Sequence, residues 1–174
     1  MEASQVLAEL ERAFALKPLP AISPHQAHLA DDSLSRQISP EEWLAAGKSD
    51  AGRTWTEFTD EELIACDAAL AHFDEESFVY YLPAFLGLAV RHCNVDWSHP
   101  ASFLMGSALH SVTDRSPYSL GRYKKLSPAQ REAVVCFLEF MAKRADDFDA
   151  DLAQKALKRY WQTDEAAKPL IIVP

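Results

Sequence analysis

The sequence predicts an all-α protein, a single-domain bundle of about six or seven helices around a kinked central apolar helix. Three observations carry this. Residues 78–90, FVYYLPAFLGLAV, place aliphatic or aromatic side chains on every side of a helical wheel, the pattern of a helix buried all round and too short to span a bilayer. Four separate stretches carry the residues that start helices. No stretch alternates apolar and polar residues long enough to read as a strand.

In chain order, residues 4–16 set Val6, Leu7, Leu10, Ala13 and Phe14 near helical spacing among Glu9, Glu11 and Arg12, an amphipathic helix that the Pro18/Pro20 pair ends. Ser23-Pro24-His25-Gln26, Ser39-Pro40-Glu41-Glu42 and Ser127-Pro128-Ala129-Gln130 each offer a capping serine, a proline suited to the first helical position, and a Gln or Glu three residues on. Thr59-Asp60-Glu61-Glu62 does the same without proline. Gly47, Ser49, Asp50 and Gly52 mark a loop over 46–54. Leu63, Cys66, Leu70 and Phe73 give the next helix its apolar face, and Asp74-Glu75-Glu76 opens the central segment with charge that a helix N-terminus favours. Pro83 predicts a kink inside that segment, and Gly87 admits a close neighbour. After a break over 94–100 come a short helix over 103–110 and an irregular, locally basic stretch over 111–126. An amphipathic helix then starts at Ser127, with Val134, Phe137, Leu138 and Met141 inward, and a last helix runs to Tyr160 and Trp161. Residues 168–174, KPLIIVP, read as an extended apolar tail.

Composition bounds the function. The 174 residues, 48% apolar and 25% charged, suit one domain over residues 1–174 with one core. The net charge of −9 works against nucleic acid and anionic membranes. It suits plain solubility first and a basic protein partner second. Cys66, Cys93 and Cys136 form no Cys-x-x-Cys pair and sit in apolar helical patterns, so each reads as a small buried apolar residue in a reducing compartment. The N-terminus lacks the basic start and apolar stretch of a signal peptide. A cytoplasmic protein is expected, monomeric or a small homo-oligomer.

Trp55, the run Phe78, Tyr80, Tyr81, Leu82, Pro83, Ala84 and Phe85, then Leu126-Ser127-Pro128 with Gln130, Phe137-Leu138-Glu139-Phe140 and Tyr160-Trp161 resemble a bacterial family of small proteins known only as a domain of unknown function. The YYLPAFL core is the specific part of the match, which spans residues 4–161. The resemblance implies a bacterial source and an all-helical domain, and brings no activity and no site residues.

Residue types that could carry chemistry fall in several places. His25, His28 and Asp32 lie at i, i+3, i+7 on one predicted helix, the ligand set of an open Fe(II) or Zn(II) site; the plain alternative is a solvated polar face. His92, Cys93, Asp96 and His99 crowd one break but match no ligand spacing. Asp147, Asp149 and Asp151 mimic the start of a calcium loop, but Leu152 and Lys158 stand where its glycine and bidentate glutamate belong. Tyr80 and Tyr81 near Glu75 and Glu76 read as core residues. No phosphate loop, GxSxG elbow or HExxH pair occurs, and no cofactor is expected. Arg115, Tyr118, Arg122, Tyr123 and Lys124 put the residue types of protein interfaces into the basic stretch, against the alternative of a loop of solvated cations.

The leading expectation is therefore a non-catalytic protein-binding module, most concretely an immunity- or antitoxin-type inhibitor holding a basic partner. A metal-dependent enzyme using His25, His28 and Asp32 is the alternative, and a homo-oligomer paired through residues 170–173 is a third.

Overall fold

A computed structural model describes residues 1–15, 18–144 and 147–163. Among these residues the chain forms ten α-helices and no strand: α1 (Ala3–Ala13), α2 (Pro24–Asp32), α3 (Pro40–Ser49), α4 (Asp60–Ala65), α5 (Ala69–His72), α6 (Glu75–Arg91), α7 (Pro100–Thr113), α8 (Pro117–Lys124), α9 (Pro128–Arg144) and α10 (Asp147–Ala156). A 3₁₀ turn, Trp55–Glu57, precedes α4, and a π-helical turn, Leu157–Trp161, follows α10. No helix among the described residues is long and apolar enough to cross a membrane. The expected tail at 168–174 lies outside the described residues.

The four Ser/Thr starts all open helices. At α3 the Glu42 N–H donates to Ser39 Oγ (3.1 Å) while Glu42 Oε2 accepts from the Ser39 N–H (2.9 Å). Thr59–Glu62 and Ser127–Gln130 close the same reciprocal pair, which satisfies two N–H groups that the first helical turn leaves open. At α2 the same Ser23–Gln26 box is present but looser: Gln26 Oε1 accepts from the Ser23 N–H (3.1 Å), while the Ser23 hydroxyl faces the first turn without closing a full hydrogen bond.

The central apolar stretch is one helix, α6, unbroken through Pro83. Every residue from 77 to 90 except Val79 is buried. Asp74 caps it by accepting from the Ser77 N–H at 2.7 Å. It packs against α1, α4, α7, α8, α9 and the 3₁₀ turn. α1 passes close at Gly87, where a Cβ would stand 3.5 Å from Leu7 Cδ2 and 3.1 Å from Arg91 Nη1. Phe73 stacks on Tyr81 (centroids 5.3 Å) and meets Phe85 edge-on (6.1 Å), favourable arrangements for buried rings. Two tryptophans tie distant segments to this core: Trp55 Nε1 donates to Phe14 O (3.0 Å) and Trp161 Nε1 to Val112 O (2.7 Å).

The chain divides into more and shorter helices than expected. The apolar pattern over 63–73 is two helices, because the chain turns at 66–68, where the Ala68 N–H donates to His28 Nδ1 (3.4 Å). The stretch over 111–126 is mostly helical. α7 runs on to Thr113, and Ser116-Pro117 opens α8, with Ser116 Oγ accepting from the Ser119 N–H (3.2 Å). α7 itself begins at Pro100, where His99 Nδ1 serves as the cap (3.1 Å from Ala101 N). Cys66 is buried, and desolvation pushes its thiol up to about 12, so it packs as an apolar group; Cys93 and Cys136 are half-buried.

Candidate functional site: a groove between α5, α7 and α8

Arg122 organises the site. α8 holds it 3% exposed, reaching across to the C-terminal end of α5. Nη1 donates to Leu70 O (2.9 Å), and Nη2 to Ala71 O (3.0 Å) and Phe73 O (2.9 Å). A short helix leaves its last carbonyls unpaired, and a guanidinium supplies several donors in one plane. The guanidinium lies between two rings, 4.6 Å from the Phe78 centroid and 4.0 Å from that of Tyr118, and it also donates to the Tyr118 hydroxyl. Burial pulls its pKa below the usual arginine value, with Tyr118 opposing. The Tyr118 hydroxyl approaches the same carbonyls, Ala71 O at 3.2 Å and Phe73 O at 3.1 Å.

Asp114 fixes the turn that brings α8 into place. Its Oδ2 accepts from the Ser116 hydroxyl (2.5 Å) and the Ser119 hydroxyl (2.6 Å). Desolvation raises its pKa, but these bonds outweigh it and hold the carboxyl below the usual range. Tyr123 is buried, donates to Asp114 O (2.8 Å), and burial drives its pKa up.

The result is an open groove of about 780 Å³ along α7. One wall is the outer face of α7: Ser102, Phe103, Gly106, Ser107, His110 and Ser111. The floor is Ala68, Leu70 and Ala71 with Tyr118 and Arg122, and the rim carries Asp31, Asp67 and Asp114. Phe103 and Tyr118 are 65% and 55% exposed. Above Gly106 the groove is empty: a Cβ built there meets nothing within 4 Å. Asp31 and Asp67 face histidines across the α2–α5 contact, Asp31 Oδ1 at 2.9 Å from His72 Nε2 and Asp67 Oδ1 at 3.3 Å from His28 Nδ1.

The residues singled out from sequence divide. Of the five interface candidates, Tyr118 and Arg122 line the groove. Arg115 and Lys124 are exposed away from it. Arg122 and Tyr123 are buried in the packing of α8, which is a helix and not the irregular stretch expected. The His25, His28 and Asp32 side chains turn to three different partners: Asp50 (Nδ1 to Oδ1, 2.6 Å), Asp67 and Arg36 (2.8 Å). Among the described residues no three His, Cys, Asp or Glu side chains are grouped to hold a metal ion. The sequence reading missed Asp31 and Asp67, which only the α2–α5 contact brings to the groove. The small residues Ser102, Gly106, Ser107 and Ser111 on one helix were a legible sign of a face left open.

No curated protein and no solved structure matches the chain. Residues 2–165 match the profile described as a family of unknown function (DUF6714), and with nearly its whole length covered the chain belongs to that family.

Proposed function

We propose that this protein is a non-catalytic protein-binding module that seats a partner in the α5–α7–α8 groove. The observation that carries the reading is the groove itself. It is a largely apolar channel with two exposed aromatic residues and an uncovered glycine on the outer face of a helix whose other face packs into the core. Exposed aromatic anchors around a concave apolar surface are what protein interfaces use. Arg122 and Asp114 are engaged in holding the fold: Arg122 caps α5, and Asp114 accepts from the Ser116 and Ser119 hydroxyls at the start of α8. The net charge of −9 matches a basic partner, and an inhibitor of the immunity or antitoxin kind is the most concrete form of the module.

The test is capture from the native host at low salt with the tagged protein and with Gly106→Leu, which fills the channel from a position with open space above it. The expected result is one stoichiometric partner, released by high salt and absent from the Gly106→Leu eluate. Equal capture by both proteins, or none by either, would sink the reading.

A further inference from the structure

We infer that the groove takes a partner segment with an apolar face and a basic edge, its Arg or Lys side chain set against Asp31 and Asp67 and its apolar face laid over Gly106 between Phe103 and Tyr118. The inference rests on the reading of the protein as a binding module and names what that module recognises.

The two sides of the channel differ in kind. α7 carries no Asp, Glu, Lys or Arg along its length, so whatever lies on it meets only aromatic, small and hydroxyl groups and His110. The α2–α5 side carries two carboxylates. Each faces a histidine on the opposite element, and their side chains remain 53% and 46% exposed, open to a second donor. An ammonium or guanidinium placed there forms charge-assisted hydrogen bonds, which are shorter and stronger than neutral ones. A cation in the channel also meets little repulsion. Among the described residues the one arginine or lysine lining it is Arg122, 3% exposed and committed to main-chain carbonyls. At Gly106 the missing side chain lets the occupant's backbone approach α7 closely. An occupant with a single chemistry leaves half of this surface unused: a purely apolar segment offers nothing to the open sides of the carboxylates, and a purely basic one offers nothing to Phe103 and Tyr118.

The test uses a fluorescein-labelled helical peptide with leucines on one face and arginines along its edge, and its counterpart with glutamate for arginine. Anisotropy measures binding, and amide shifts of the 15N-labelled protein map it. The arginine peptide is expected to shift Asp31, Asp67, Phe103, Gly106 and Tyr118. Its affinity should fall at least about tenfold for the double variant Asp31→Asn/Asp67→Asn, the loss of roughly one charge-assisted contact, and disappear for Gly106→Leu. Glu132→Gln, on α9 outside the groove, should bind as the unaltered protein does. The double variant alters only half-exposed side chains, so it keeps the test decisive should Gly106→Leu disturb α7. Equal binding of both peptides, shifts scattered over the acidic surface, or undiminished binding to the double variant would overturn the inference. A natural partner lost from Gly106→Leu but retained by the double variant would overturn it too and leave the module reading standing. An arginine peptide seated in the groove of a protein that captures no partner would do the reverse.

Discussion

The α2–α3 pair and the central helix α6 are attached to the same molecule by opposite means. α6 is fixed by burial, with residues 77–90 inside the core save Val79. α3 buries no residue at all, and α2 buries only Pro24, Gln26 and Ala27. What holds the pair is directional: the His25 N–H donates to Asp50 Oδ2 (2.9 Å) with the ring 2.6 Å from Oδ1, Gln26 Nε2 donates to Trp43 O (3.2 Å), and His28 and Asp31 cross to Asp67 and His72. Burial stabilises in proportion to area and tolerates small shifts. A hydrogen bond contributes about 1 kcal/mol net but costs more when one buried partner is left behind. The difference predicts two levels of stability, a core that opens only with global unfolding and an outer pair that opens alone. The outer pair supplies Asp31 to the groove, so the same weakness bears on function.

The sharpest way to break the comparison is to cut each region at its own kind of attachment. Phe85→Ala removes a fully buried ring from α6. It is expected to cost about 3–5 kcal/mol, read as a lower midpoint in chemical denaturation, with hydrogen exchange faster throughout the chain. Asp50→Ala removes the buried acceptor of His25 and is expected to cost roughly 1–3 kcal/mol. Its exchange should quicken over α2 and α3 while α6 and α9 keep their protection. Uniform acceleration in Asp50→Ala would show that the two regions form one cooperative unit.

A finer test compares the same substitution at two helical glycines. At Gly47 a Cβ would stand 2.6 Å from Gln26 Nε2, where that amide is buried and bonded to Trp43 O, so Gly47→Ala pushes α3 off α2 and is expected to destabilise. At Gly106 the Cβ meets nothing, and Gly106→Ala is expected to stabilise by about 1 kcal/mol, the ordinary gain in a helix interior. Thermal midpoints moving in opposite directions are the expected result. A shared sign would mean that the close α2–α3 approach is not a constraint.

The same division explains what the sequence revealed. Apolar periodicity made α1 and α9 legible, and an apolar run on every side of the wheel made α6 legible, because burial leaves a pattern along the chain. Capping chemistry made the starts of α2, α3, α4 and α9 legible because its partners lie three residues apart. The attachments of α2–α3 and the rim of the groove depend on pairs far apart in sequence, His25 with Asp50, His28 with Asp67, Asp31 with His72, and no local rule ties them. Arg122 shows the same limit. As a cation beside tyrosines it read as an interface residue, and its burial is set by carbonyls 49 to 52 residues away. Tyr118 lines the groove from a helix that was taken for a loop.

The smallest effect concerns the link between the exit of α3 and α4. Arg53, in the segment after α3, lies 4.2 Å over the Phe58 ring and forks onto Glu62, with Nη1 2.8 Å from Oε1 and Nη2 2.7 Å from Oε2. Arg53 first, and the Thr59 N–H next, hold the Glu62 carboxyl down at about 2 against its ordinary 4.5. The folded state therefore binds this proton less readily than the unfolded chain. The stabilisation is fully present above pH 4.5 and is lost as pH falls toward 2. The pair is partly exposed, so solvent screens it and the effect on global stability is small. In Glu62→Gln the acid limb of the stability curve should be shallower over that interval, and Arg53→Met should flatten it in the same way. Neither should alter the midpoint of α6 unfolding seen by exchange at neutral pH beyond the change in global stability. An acid limb unchanged in both variants would remove this pair from the attachments that set the outer region apart from the core.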